Sequence, residues 1–216
     1  METLLVANWK ANKTLAQALN WLDQVSQINL PEGIVMVIAS PYPFLASLQK
    51  EIMANQLSIK LASQDVSKFG DGAYTGEVTG AMLEGLVEYC LVGHSERKAN
   101  FAESDQDVAQ KAALLLKNNI APIVCVPDQT TPVPAGVRWV AYEPPSAIGT
   151  GDADSAAHIQ EMVRLINAAT QTKVLYGGSV DADNIKIIAD STGVSGFLIG
   201  GASLDPAEFT ALVSSL

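Results

Sequence analysis

The chain has 216 residues, 48% of them hydrophobic and 17% charged, which is enough apolar material for one sizeable core or two small ones. A formal charge of −10 with only 13 basic residues, none of them in a run, argues against nucleic-acid or anionic-membrane partners, because a phosphate backbone would repel the protein. Apolar runs of about six residues fall far short of the ~20 that a membrane span requires, and no basic segment followed by an apolar stretch opens the chain, so it reads as a soluble globular protein without secretion signal or anchor.

In chain order, short β-branched runs recur at 3–9 (TLLVANW), 35–40, 60–66, 89–93 (YCLVG), 121–126 (APIVCV), 138–142 (RWVAY), 173–177 and 196–200 (GFLIG). They alternate with amphipathic stretches such as 14–27, 105–118 and 154–169, whose apolar residues fall three and four apart. The last helix is expected to open on Asp205 as N-cap with Pro206 at its first position. Repeated βα units with buried parallel strands fit a doubly wound sheet or a closed (β/α)8 TIM barrel, and eight strands favour the barrel. No low-complexity linker divides the chain, so 1–216 is expected to be a single domain. One unit is irregular: between strands five and six, Pro132, Pro134 and Gly136 forbid a regular helix, so a short extended crossover is expected in place of the fifth outer helix.

In such barrels the polar residues that carry chemistry gather at the carboxyl ends of the strands. Here those ends bear Asn8 and Lys10, two apart and so expected to point the same way from an extended strand. They also bear His94 and Glu96, the carboxylate Glu143 in WVAYEPPSAIGTGD, and the glycine-rich turns at 176–179 and 200–203. Each has a plain structural reading. A histidine at a strand end is often just a hydrogen-bonder, a lysine a solvated charge, a glutamate before proline a strand terminator, and a glycine pair a tight turn. Their coincidence at the same end of the same repeat points instead to a base, a cation, an imidazole and exposed backbone N–H groups around one mouth. Cys90 and Cys125 are too few for a disulfide framework and suit buried thiols in a reducing cytoplasm.

The segments NWK, SQDVSKFGDGAYTGE, VGHSER, AYEP, AIGTG, YGGSV and GGASL, in that order and over nearly the whole chain, resemble the triosephosphate isomerase family. The resemblance implies interconversion of dihydroxyacetone phosphate and D-glyceraldehyde 3-phosphate through an enediolate, with no metal and no organic cofactor. It makes Glu143 the base, His94 a neutral electrophile and Lys10 the cation that balances substrate charge, with Asn8 as a further donor. Glu96, Cys125 and Tyr176 support the site, and the phosphate is held by N–H groups at Gly149, Ser179, Gly200 and Gly201 beside a short helix N-terminus. It makes PPSAIGTG a closing lid hinged at Glu143. It also makes the loop from Gln64 to Glu77, with Thr75 near its tip, the part that enters a neighbouring subunit, implying a homodimer.

Several positions depart from the family pattern. The lid's first hinge reads Pro144, Pro145, Ser146 rather than ending in tryptophan, Asp152 stands for a lysine at the second, and CVPD replaces Cys-x-Gly-Glu after strand five, with ~25 helical residues missing beyond it. Lys98 stands where a second arginine is common, while Arg97 and Glu103 remain to form an ion pair. Another phosphate-binding barrel enzyme, or a catalytically silent metabolite binder, would share the glycine turns but has no reason to carry Glu143, His94 and Lys10 together.

Overall fold

A computed structural model describes residues 2–145, 147 and 153–216. Eight parallel strands close into a barrel in sequence order: β1 (Thr3–Asn8), β2 (Ile34–Ser40), β3 (Ile59–Ser63), β4 (Tyr89–Val92), β5 (Ala121–Val126), β6 (Trp139–Tyr142), β7 (Lys173–Tyr176) and β8 (Gly196–Ile199), with β8 paired to β1. The expected (β/α)8 barrel is therefore the fold, and every strand lies within two or three residues of its sequence-based bounds.

The two-residue period of the strands divides the core into two layers. Leu4, Val6, Val37, Ala39, Leu91, Ile123, Cys125, Trp139, Ala141, Leu175 and Leu198 fill the barrel interior. The alternate residues, among them Leu5, Ala7, Met36, Ile38, Cys90, Val92, Val124 and Val140, face the surrounding helices. Around the barrel run α1 (Leu15–Val25), α2 (Tyr42–Ala54), α3 (Gly80–Leu83), α4 (Ser95–Phe101), α5 (Asp105–Lys117), α6 (Ala156–Thr170), α7 (Ile185–Thr192) and α8 (Pro206–Ser214). Their starts follow from capping. Thr14 and Ser104 each form a reciprocal capping box, and Asp205 accepts from the N–H groups of Ala207 and Glu208 with Pro206 at the first helical position.

Between β5 and β6 the chain forms no helix. Asp128 Oδ1 accepts from Thr130 N at 2.7 Å, which turns the chain out of β5. Pro134 to Val137 then make a tight turn, closed by Val137 N to Pro134 O at 3.3 Å, with Gly136 at φ 83° in the position that such a turn reserves for glycine. Val137 is buried and Val133 half-buried against the helix-facing layer, so this strap lies over the flank of β5 and β6.

Among the described residues no helix is long and apolar enough to cross a membrane. Cys90 and Cys125 are both buried and free.

Candidate active site

The strand ends converge as their positions in the repeat require. Asn8, Lys10, His94, Glu143, Ser179, Gly200 and Gly201 all line one cavity of about 360 Å³ at the carboxyl end of the barrel. The strand alternation expected to aim Asn8 and Lys10 alike is not what brings Lys10 there, because it lies beyond the end of β1, and His94 likewise lies beyond the end of β4. Lys10 sits at φ 51°, a left-handed conformation unusual for lysine, supported by Lys10 N to Asn8 Oδ1 at 3.0 Å and by Gln64 Nε2, which donates to the carbonyls of Lys10 and Ala39 at 3.0 and 2.8 Å. Gly93 turns the chain at φ 73°, and His94 becomes the N-cap of α4. Backbone turns rather than the pleat aim both side chains.

At the centre, His94 Nε2 lies 2.9 Å from Glu143 Oε1, while Ser95 N donates to Glu143 Oε2 at 3.0 Å. His94 Nδ1 accepts from Glu96 N at 3.2 Å. That bond occupies the Nδ1 lone pair, so in the neutral ring the proton sits on Nε2, facing Glu143. Both side chains are buried, at 8% and 4% exposure. Lys10 Nζ pairs with Glu96 Oε1 at 2.6 Å.

Glu143 stands where it does because the strand ladder continues past β6, with Glu143 N to Val126 O and Gly177 N to Tyr142 O, both 2.8 Å. A side chain at Gly177 would put its Cβ 3.0 Å from Glu143 Cγ, so the first glycine of the 176–179 turn makes room for the carboxylate, a requirement that arises only across strands. The Cys125 thiol lies against Glu143. Burial first, and then this carboxylate, push the thiol well above its ordinary range. Tyr176 Oη accepts from Asp154 N at 3.0 Å, so it tethers the chain just beyond the PPSAIGTG segment. Gly149, Ser146 and Asp152 lie outside the described residues.

The glycine turn at 200–203 is held from behind. Trp21 Nε1 donates to Ser203 O at 3.0 Å, Ser203 Oγ donates to Gly200 O at 2.6 Å, and Gly201–Ser203 form a single 3-10 turn. Trp9 and Phe209 pack edge-on and tilted against Trp21, with ring centroids 5.1 and 5.3 Å away. The N–H groups of Gly200 and Gly201 have no partner among the described residues, which leaves two donors on the cavity wall for an anion.

Behind His94 lies a buried charge network. Glu103 Oε2 accepts from Gly93 N at 3.2 Å, Lys111 pairs with Glu103 and with Asp65 Oδ1 (2.6 Å), and Arg97 reaches Asp65 Oδ2 at 2.7 Å and Glu103 Oε2 at 3.5 Å. The expected Arg97–Glu103 pair thus forms. Burial raises the Asp65 carboxyl above its ordinary value against the pull of Lys111 and Arg97, and the network ties the 64–77 loop to the turn that carries His94. Among the described residues no group of histidine, cysteine and carboxylate side chains is arranged to hold a metal ion.

Residues 3–138 and 135–216 match the family described as Triosephosphate isomerase. The chain is 38% identical to the triosephosphate isomerase of Azoarcus sp. (strain BH72), with 98% of each chain covered. It is 34% identical to that of Leifsonia xyli subsp. xyli (strain CTCB07), over 97% of this chain and 95% of the other, and 32% identical to that of Mesomycoplasma hyopneumoniae (strain 232), over 97% of each.

Proposed function

The chain belongs to the triosephosphate isomerase family, and from that premise we propose that Glu143 is the base, His94 the neutral electrophile and Lys10 the substrate cation of its reaction. That reaction is the interconversion of dihydroxyacetone phosphate and D-glyceraldehyde 3-phosphate. The division of labour between glutamate and neutral histidine is that known for the family, not a result of this geometry. The observation that carries the assignment is the buried 2.9 Å contact between His94 Nε2 and Glu143 Oε1 on the cavity that Lys10 and the two glycine turns share.

The chemistry follows from the atoms. Taking a proton alpha to a carbonyl builds negative charge on the carbonyl oxygen, so the site needs a base on one side and donors on the other. Glu143 Oε1 is the base. His94 Nε2–H is a donor fixed in that tautomer by the Glu96 N–H on Nδ1, and Lys10 Nζ and the Asn8 side chain supply further donors. In the resting site base and electrophile lie 2.9 Å apart, so the substrate must enter between them, its carbonyl meeting His94 Nε2–H and its carbon the Glu143 carboxylate. The phosphate is held by the N–H groups of Gly200 and Gly201, with Gly149 of the lid as a further contributor, and by Ser179 once its N–H and Oγ let go of the Ala147 carbonyl, to which they donate at 3.2 and 2.7 Å.

Three wider assignments accompany this one. The chain is a shortened family member without the helix between strands five and six: the family match divides at residues 135–138, and the Azoarcus alignment spans 244 positions against 216 residues here. It works as one domain in a reducing cytoplasm, as its buried free thiols suit. It pairs as a homodimer through the Gln64–Glu77 loop, whose half-exposed Phe69 and Tyr74 rings stack 4.2 Å apart. A second cavity of about 320 Å³, bordered by Tyr42, Gln64, Glu96 and Phe101, opens beside Lys10 and His94 to receive the partner's loop.

Purified protein given D-glyceraldehyde 3-phosphate, with dihydroxyacetone phosphate read by a coupled NADH assay, tests the assignment. The expected result is turnover in wild type and its loss in Glu143→Gln and in His94→Ala. Turnover that survives both substitutions would remove these residues from the chemistry.

A further inference from the structure

We propose that Asp181 and Glu208 set the enzyme's affinity for its phosphorylated substrate by opposing the dianion at the phosphate end of the site, an inference that rests on the phosphate lying at Ser179, Gly200 and Gly201. Both residues line the same cavity as those three. Neither has a cationic partner among the described residues. Among the described residues the one cation on the cavity wall is Lys10, and its ammonium already lies 2.6 Å from Glu96. A pocket for a dianion is therefore walled by Glu143, Asp181 and Glu208 against a single, already paired lysine.

The Asp181 carboxylate is fixed in place. Its Oδ1 accepts from Asp183 N at 3.0 Å and Asn184 N at 2.9 Å, closing the turn that leads into α7 directly after Ser179–Val180. Glu208 stands in the first turn of α8, whose N-cap Asp205 adds another anion at that helix start. Beyond Lys10, attraction for the phosphate consequently comes from neutral backbone N–H groups, while the flanking acidic side chains push the other way. Substrate, enediolate and product all keep the phosphate, so the opposition weakens every bound state alike. It raises KM, hastens release of product and leaves kcat nearly unchanged.

The magnitude is bounded by exposure. Across a separation on the order of 8 Å through near-aqueous dielectric, one unit charge acting on a dianion is worth about two- to sixfold in binding at low ionic strength, and less as salt rises. Asp181→Asn keeps an oxygen to accept the two turn N–H groups and removes only charge, and Glu208→Gln removes the charge on α8 at unchanged size.

The test measures kcat and KM for D-glyceraldehyde 3-phosphate at low salt and at about 0.3 M KCl, alongside inorganic phosphate as a competitive inhibitor and unphosphorylated glyceraldehyde as a control substrate. Each single substitution is expected to lower KM and the phosphate inhibition constant about two- to sixfold, and the double substitution more, with kcat kept, the gain shrinking in KCl and glyceraldehyde turnover unaltered. KM within a factor of two of wild type in the double variant at low salt overturns the proposal, as does an equal gain on glyceraldehyde. Wild-type turnover that inorganic phosphate fails to inhibit would instead fault the assignment of the phosphate end itself.

Discussion

Replacing residues 130–137 by an equally long Gly/Ser linker isolates the work of the helix-free crossover. Val137 is 8% exposed and packs on the helix-facing layer of the core, and Val133 packs there half-buried. Full burial of a valine is worth about 1.5–3 kcal/mol, so the two together contribute roughly 2–4 kcal/mol. Freeing Pro132 and Pro134 adds about 0.4–1 kcal/mol each through the unfolded chain. A loss of about 3–6 kcal/mol in a chain of this size lowers the thermal midpoint by roughly 6–24 °C. Calorimetry or circular dichroism reads the midpoint, and the coupled assay, run well below it, reads the rate per folded molecule, which is expected to be kept within about threefold because no residue of the strap lines the cavity. An unchanged midpoint would refute the claim that the strap covers β5 and β6. A collapse of the rate with an intact midpoint would refute the separation of flank from site.

Glu143→Gln is expected to cut kcat by about 10²–10⁴ with inhibitor binding nearly kept, because the amide fills the same space without accepting a proton; retention of a tenth of the wild-type rate removes Glu143 from the role. Lys10→Met should weaken binding of inorganic phosphate or substrate by more than about tenfold, the value of one charged hydrogen bond, whereas an unaltered KM and kcat would leave Lys10 a bystander. Thr75→Arg with Gly76→Glu should yield monomers of depressed activity in sedimentation, and a wild-type chain that sediments as a monomer at the outset contradicts the pairing. Lys68 and the donors of Ser104 hold the Asp107 carboxyl down to about 2, below its ordinary 3.8. With the folded value depressed, its support of α5 is present above the ordinary value and fades as pH falls toward 2. The midpoint deficit of Asp107→Asn should accordingly be seen at neutral pH and close on acidification; a deficit independent of pH contradicts the charge-based account.

The barrel was legible because eight β-branched runs at regular spacing leave few ways to bury both faces of a parallel sheet, and Asp205–Pro206 announced α8 outright. The site was legible as residue types at strand ends. How they reach the mouth was not. Lys10 at φ 51° and the Gly93 turn are conformations that depend on Gln64 and Glu103, each far away in sequence. The room that Gly177 leaves for Glu143 is likewise a contact across strands. Glu208 escaped notice because an acid in a helix's first turn reads as ordinary capping, and Asp181 because an aspartate closing the turn before a helix reads as a local cap; only the closed fold places both on the wall of the cavity proposed to take the phosphate.

The same closure explains how a barrel can lack an outer helix beside its proposed base. What fixes Glu143 is the inner layer and the ladder, not the shell. Val126 pairs with Tyr142 and Cys125 with Ala141, the ladder runs on through Glu143 N to Val126 O, and Ile123, Cys125, Trp139 and Ala141 interlock inside the barrel. An outer helix covers the alternate residues, Val124 and Val140, which point the other way. Without one those side chains would be bare at a cost in burial energy, but Val124 and Val140 stay buried here and share their cluster with Val133 and Val137 of the strap, and no hydrogen bond that sets the register of β5 on β6 depends on the helix. Because a one-residue slip would turn every inward side chain outward, that register is held by the whole interior. Stability and chemistry therefore draw on opposite faces of the same two strands, and the outer face is free to be rebuilt while Glu143 stays 2.9 Å from His94.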